Sequence, residues 1–563
     1  MSVALPSHVI GPTDAPLLDD TVGGLLSRIA AAHPDREALV VPPQGVRLTY
    51  AQLNAAVTRL AAGLLHLGLA PGDRIGIWSL NRAEWVLMQF ASARAGLVLV
   101  NINPAYRTHE LEYALNCVEC SALVLVPGFK QSDYIGLLRE LAPELGTHAA
   151  GALQAAALPA LRHVLVMGDG DTVPGTWRFD DIAACTDADA HARLAALRLD
   201  AHDAINIQFT SGTTGAPKGA TLSHHNIVNN GWFVGEAMRL THEDRLCIPV
   251  PFYHCFGMVL GNLACVTHGA CMVIPGEGFD PLVTLQTVAD ERCTGLHGVP
   301  TMFIAELDHP RFAEFDLAAL RTGIMAGSPC PVEVMKKVVE RMHMREVTIA
   351  YGMTETSPVS FQTTPDDPLD RRVDSVGRVH AHVEVRVVDK DGEVVPRGEP
   401  GELQTRGYSV MRGYWGDPER TAEALDADGW MHTGDLATID ADGYGRIVGR
   451  VKDMLIRGGE NIYPREIEEV LYTHPDIEDV QVIGVPDERY GEELMAWIKV
   501  RPGASIDEDA VRRFCQGKIA HFKVPRYVKV VETFPMTVTG KVQKFKMRQQ
   551  SMEELGLEVA ETA

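Results

Sequence analysis

Cysteine is scarce, with ten in 563 residues, too few for a disulfide-stapled scaffold. Cys117 and Cys120 have CxxC spacing, yet no second pair or histidine pair follows at zinc-site distance, so they read as small packing residues. Long apolar runs are also missing. Stretches such as 97–100 and 122–126 fall far below the roughly 18 residues that a membrane span needs. The first 18 residues hold no basic or continuous apolar segment and the first arginine is Arg28, so neither a secretory signal nor an Arg-rich transit peptide is expected. Positive charge is in short supply as well: 51 Lys+Arg face 74 Asp+Glu, a net −23. That balance excludes coating nucleic acid or an anionic membrane by bulk charge, although a local site can still take an anion. A cytoplasmic chain is expected, with no transmembrane segment and no nucleic-acid partner.

What is present is ordinary for a globular protein: 46% hydrophobic and 22% charged residues exclude a mostly disordered chain. The length implies more than one folding unit. Charge is segregated between the ends. Residues 1–445 hold 33 basic and 54 acidic side chains, whereas residues 446–550 hold 18 and 16. From Lys518 to Arg548 eight basic residues accompany Glu532 alone. A solvated basic face is the plain reading; the alternative is a unit that carries positive charge to an anionic ligand.

Helical and strand patterns alternate along the chain. Thr49 is placed to cap a helix with Leu53, Val57, Leu60 and Leu64 on one face, ending near Gly68 and Pro71. Short apolar runs at 75–80, 122–126, 164–167 and 271–274 read as strands buried on both faces, hence an α/β class with parallel sheets. Residues 205–209 alternate instead, as a strand with one wetter face would. The Ala-rich stretch 149–161 reads as a surface excursion. From 383 to 403, turns at Asp391–Gly392 and Pro400–Gly401 mark an antiparallel β module.

The first chemically pointed segment is Thr210, Ser211, Gly212, Thr213, Thr214, Gly215, Ala216, Pro217, Lys218, Gly219. Its glycines let backbone N–H groups approach a phosphate, its hydroxyls donate, and Lys218 adds a cation. It follows the 205–209 strand and precedes a helix expected near Ser223. The P-loop pattern is not met, since Pro217 stands at its second glycine. Composition alone leaves a generic Gly/Thr turn open.

The wording of this loop resembles the phosphate-binding signature of the adenylate-forming superfamily, which includes acyl-CoA synthetases. The resemblance is colinear from about Leu25 to Arg548. Tyr351-Gly352-Met353-Thr354-Glu355-Thr356 is similar to the family's adenine and magnesium motif, and Trp430 to Asp435 to its ribose motif. Gly449 to Ile456 resembles the hinge segment, and Pro535 to Lys541 the catalytic-lysine motif. The resemblance implies a large N-terminal domain, 1–449, of parallel sheets with helices plus a β module. A small mobile α+β domain, 450–563, then turns about Lys452. ATP would be held by the 210–218 loop, Gly327, Ser328, the 351–354 segment, Asp435 and Arg450. Glu355 would be the Mg²⁺ ligand, and Lys541, His254, Glu355 and Thr354 the catalytic set. Tyr351 offers a ring face to adenine, Glu355 a hard oxygen to magnesium, and Arg450 a fixed donor fork.

The implied chemistry is carboxylate attack on the α-phosphate of MgATP, followed by thiol attack on the acyl-adenylate. In the second half Lys541 would leave, and Gly458 and Gly459 would line a CoA channel. The acyl pocket is expected from Trp232, Gly235, His254, Gly323 and Gly327. Its 251–257 stretch holds no acid, which favours an uncharged acyl chain. The wording of 457–468 and 323–331 is closest to medium-chain fatty-acyl-CoA synthetases, although His380-Ala381-His382 stands where that group commonly has His-Pro-His. The expected substrates are a fatty acid of roughly C6–C12, since each buried CH₂ contributes about 0.8 kcal/mol, with ATP and CoA. Transfer to a carrier protein, an aryl acid substrate and a homodimer stay open.

Overall fold

The structure, a computed structural model, describes residues 5–129, 132–168, 170, 172–210, 217–328, 330–457, 460–487, 489–536 and 542–557. Thr49 caps the Tyr50–His66 helix as expected: its hydroxyl accepts from the Gln52 amide while the Gln52 side chain accepts from the Thr49 amide. Leu53, Val57, Leu60 and Leu64 are fully buried on its inner face. Gly68, at φ +88°, lets the chain leave the helix.

Among the described residues, two large sheets form the body. One has eight strands in the order Trp177–Arg178, His163–Val166, Ala122–Leu125, Arg74–Trp78, Val98–Asn101, Ala204–Thr210, Lys218–Ser223, Gly413–Tyr414. The first six run parallel and the last two antiparallel. The other has nine strands and is parallel from Glu37–Val41 to Glu346–Gly352, with antiparallel pairs at both edges. Helices cover both sheets, which is why their central strands are apolar on both faces. The β module at 383–407 is present as an antiparallel five-stranded sheet that also takes His8–Ile10, Met431–Ile439 and Gly445–Arg450.

Residues 455–530 build a further sheet around the long Ile477–Asp487/Gly491–Val500 ladder. Its helices Pro464–Tyr472, Glu508–Cys515 and Lys544–Leu555 close small cores of their own, one on Ile467, Leu471 and Val480, another on Trp497, Phe534 and Met547.

Four sequence readings change. The Ala204–Thr210 strand is not wet on one face, because Asn206 and Gln208 are both buried. Their amides pair with each other and with Asn101: Gln208 Nε2 donates to Asn206 Oδ1 at 2.9 Å and Asn206 Nδ2 to Asn101 Oδ1 at 3.0 Å. The phosphate-loop segment leads into a second strand, Lys218–Ser223, before its helix, so it is the tip of a hairpin. The 149–161 stretch is irregular, yet Leu153, Ala155, Leu158 and Leu161 are buried in the core. The basic cluster is mostly neutralised within its own unit. Lys523 meets Glu466, Arg526 meets Asp487, Lys529 meets Glu554, Lys544 meets Glu468 and Arg548 meets Glu492, all at 2.6–2.9 Å.

Candidate active site

The site collects at the carboxyl ends of the parallel strands, where open α/β sheets present their ligand crevices. The 211–217 loop is rooted by a hairpin in which Thr210 pairs with Lys218 and Phe209 with Gly219. Ser211, Gly212, Thr213, Thr214 and Gly215 themselves lie outside the described residues, as do Gly458, Gly459 and Lys541.

The root of the loop is bound to Glu355. Thr210 donates its hydroxyl to Glu355 Oε1 at 3.1 Å, and Tyr414 donates to the same oxygen at 3.0 Å. Glu355 is buried at 6% exposure in the one-turn helix Thr354–Thr356. Its backbone carbonyl accepts from Met411. Burial, then the neighbouring Glu355, push the Tyr414 phenol well above its ordinary value, so it stays a donor. The Lys218 ammonium lies 4.8 Å from the centre of the same Tyr414 ring. Both hydroxyl donors sit on Oε1. Oε2 is therefore the oxygen a hard cation would take, and a magnesium ion on nucleotide phosphates needs only one or two protein carboxylates. The residues fit that ion.

The second half of the site is a triad of side chains. Tyr351, at the end of Glu346–Gly352, donates to Asp435 Oδ2 at 2.6 Å. Arg450, the register partner of Asp435 on the next strand, places Nε 3.2 Å from Oδ1. Burial, followed by the Asp435 carboxylate, holds the Tyr351 phenol far above its usual range. Asp435 is thus oriented from two sides, by Tyr351 and by Arg450. Gly352 follows because nothing larger fits: a Cβ there would meet the Pro358 carbonyl oxygen at 1.7 Å. Met353 is half-buried and Thr354 buried beside Glu355. Gly327 and Ser328 are exposed at the carboxyl end of Thr322–Ala326, the strand parallel to Glu346–Gly352.

The expected acyl-pocket residues divide. His254 is half-buried in the turn before the helix Phe256–Leu263, which has π geometry, a form frequent at functional sites. Trp232 stacks on the His268 ring at 4.8 Å, and Gly235 lies directly under that ring. Gly323 has its side-chain direction closed by the Leu296 carbonyl at 1.9 Å. It is glycine for the strand–strand approach.

Three residues outside the motifs complete the frame. Tyr414 is the second donor to Glu355. Asn230, fully buried, accepts from the Val359 amide at 3.0 Å and donates to the Val359 carbonyl at 2.9 Å, pinning the strand that follows the Glu355 turn. His297, also fully buried, has Nε2 2.9 Å from the Leu260 carbonyl in the π-helix and Nδ1 3.1 Å from the Ile324 amide. Burial lowers its pKa to about 4. The ring is neutral, as its acceptor role at Nδ1 requires. Nothing in the local sequence of these three marks them, because each partner lies in a distant segment.

A model of the AMP-binding enzyme family matches residues 26–415, and that of the AMP-binding enzyme C-terminal domain matches 466–541. The chain belongs to the AMP-binding enzyme family. Among family relatives, YngI of Bacillus subtilis (strain 168), named as an acyl-CoA synthetase, is 50% identical over 96% of this chain and 99% of its own length. The mitochondrial medium-chain acyl-CoA ligase ACSF2 of Danio rerio is 46% identical over 98% and 91%. ATP-bound MatB from Rhodopseudomonas palustris superposes with a TM-score of 0.81 at 30% identity, covering 95% of this chain and all of that one. No helix among the described residues is long and apolar enough to cross a membrane.

Proposed function

We propose that this AMP-forming acyl-CoA ligase activates medium-chain fatty acids. The observation that carries the reading is the joining of two side-chain sets where three sheets meet: Glu355 tied to the root of the phosphate loop, and Tyr351–Asp435–Arg450 beside it. The acid-free 251–257 turn favours an uncharged acyl chain, and the medium-chain name of a relative 46% identical supports the length.

In the first half-reaction the fatty carboxylate attacks the α-phosphate of ATP, forming the acyl–phosphate bond and releasing pyrophosphate. The carboxylate is already ionised and needs no base; the obstacle is repulsion between two anions. Tyr351 and Asp435 hold the nucleoside, the latter accepting the ribose hydroxyls, while Arg450 keeps the carboxylate oriented. Lys218 and the loop that it closes face the β- and γ-phosphates. Glu355 would hold Mg²⁺, whose charge neutralises the phosphate oxygens during transfer. Lys541 supplies the cation between carboxylate and α-phosphate. Thr354 packs at the phosphate turn, and His254 gates the acyl carboxylate.

In the second half the CoA thiol attacks the acyl carbon and AMP leaves. Residues 450–563 turn about Lys452 against 1–449, withdrawing Lys541 and bringing Gly458 and Gly459 to the pantetheine channel, a lid-type step that assembles one site twice. CoA-dependent AMP release across straight-chain acids from acetate to palmitate, plus benzoate, tests the substrate. A maximum between roughly C6 and C12 is expected, each CH₂ adding about 0.8 kcal/mol until the pocket is filled. A maximum at acetate or benzoate overturns the reading, and AMP release insensitive to CoA points to a carrier protein.

A further inference from the structure

Three side chains remote in sequence and absent from the reaction converge on the back of the phosphate-loop hairpin. Asp19, His202 and His225 each place one ligand-type atom within 4.8 Å of the others. The two imidazole rings lie 4.5 Å apart at 39°. Asp19 and His202 are exposed, whereas His225 is half-buried.

Backbone contacts fix all three segments. Leu18 is gripped on both sides by Asn229, whose Oδ1 accepts from the Leu18 amide at 2.7 Å and whose Nδ2 donates to the Leu18 carbonyl at 2.9 Å. Asn229 is one turn beyond His225 on the same helix, His224–Ala237, so this grip sets Asp19 beside that ring. The His225 amide donates to the Ala201 carbonyl at 2.7 Å, which places His202 next to it. His202 is held further by its own amide on Asp200 Oδ1 at 2.8 Å and by Arg412 on its carbonyl at 2.7 Å. Asn229 Nδ2 also lies 3.3 Å from His225 Nδ1 and donates to the His225 carbonyl at 2.9 Å, so the ring is anchored on the same helical turn.

We propose that Asp19, His202 and His225 bind a borderline divalent transition metal of the zinc class, with solvent water completing the shell. Two imidazoles and one carboxylate suit such an ion and not magnesium or calcium, which prefer all-oxygen shells. The neighbouring Asp200 and Asp203 add negative field without supplying ligands. The site sits at the root of Ala204–Thr210, roughly 25 Å of extended strand from the phosphate loop. The ion is therefore a staple that ties residues near 19 to the base of the hairpin, with no part in the chemistry.

The test is titration of the purified, chelator-stripped full chain with ZnCl₂ by calorimetry, with thermal unfolding in parallel. One saturable Zn²⁺ per chain is expected, together with a rise in Tm. His202→Ala and His225→Ala should each weaken binding at least tenfold and abolish the Tm rise. Asp19→Asn, an exposed and isosteric change that spares folding, should weaken it about three- to tenfold. No saturable binding below millimolar Zn²⁺, or binding unchanged in Asp19→Asn and in His202→Ala, overturns the proposal.

Discussion

Asp435 and Glu355 are held by different means, and the difference separates what each substitution should do. Asp435 receives the Tyr351 hydroxyl and faces the Arg450 guanidinium. Asp435→Asn keeps the shape but loses the charge proposed to strengthen hydrogen bonds to ribose. A charge-assisted bond contributes about 1.5–3 kcal/mol, so KM for ATP should rise roughly 10- to 100-fold while KM for the fatty acid stays within about twofold. Steady-state kinetics with each substrate varied decides it, and an unchanged KM for ATP would remove Asp435 from the ribose site. In Glu355→Gln the amide oxygen can still accept from both Thr210 and Tyr414, so thermal stability should hardly move. The lost anion is the one proposed for Mg²⁺. A kcat loss of about 100-fold with a shift of the Mg²⁺ optimum to higher concentration is expected, and an unaltered Mg²⁺ profile would count against Glu355 as the ligand.

At the level of elements, the scaffold behind the turn matters as much as the turn. Asn230 answers both backbone groups of Val359 with one buried amide. Asn230→Leu preserves volume but strands that N–H and C=O, each costing about 1–3 kcal/mol when buried and unpaired. The urea midpoint of the large N-terminal unit should fall measurably, and kcat should fall with it as the Glu355 turn loosens. A variant of parent stability would show that Val359 finds other partners. Asn230 was not legible in the sequence, nor were Tyr414 and His297, because what makes them important is a partner 27 to 129 residues away. Tyr351, Glu355, Asp435 and Arg450 could be singled out in the sequence because each proposed role demands one residue type within a short fixed wording, and the structure brings Tyr351, Asp435 and Arg450 together. The helix from Tyr50 was legible through its cap and its periodicity. The Ala204–Thr210 strand misled because periodicity reports polarity, and Asn206 and Gln208 satisfy each other inside the core. The Lys218–Ser223 strand was hidden because its wording, Lys-Gly-Ala-Thr-Leu-Ser, holds no apolar run.

Over the whole molecule, the net charge of −23 sets a problem for an enzyme whose proposed substrates are all anions. A basic C-terminal unit looked like its solution, but Lys523, Arg526, Lys529, Lys544 and Arg548 are engaged with acids of that same unit. The acids are scattered from Glu466 to Glu554, so a linear count of charge could not reveal the pairing. Steering of ATP by that face should therefore be weak, and in the proposed mechanism the burden of meeting the reacting carboxylate and α-phosphate falls on Lys541. That concentration of the work makes a sharp prediction. Lys541→Ala should remove most acyl-adenylate formation, read as acid-dependent ATP–pyrophosphate exchange, because no neighbouring cation of the paired cluster can substitute. Thioester formation from supplied acyl-AMP and CoA should stay within a fewfold of the parent, since in the proposed sequence of steps the thiol attacks after the C-terminal unit has turned and Lys541 has withdrawn. Equal loss in both halves would mean that Lys541 supports the fold or the turn itself, and undiminished exchange would transfer the role to Lys218 at the loop root.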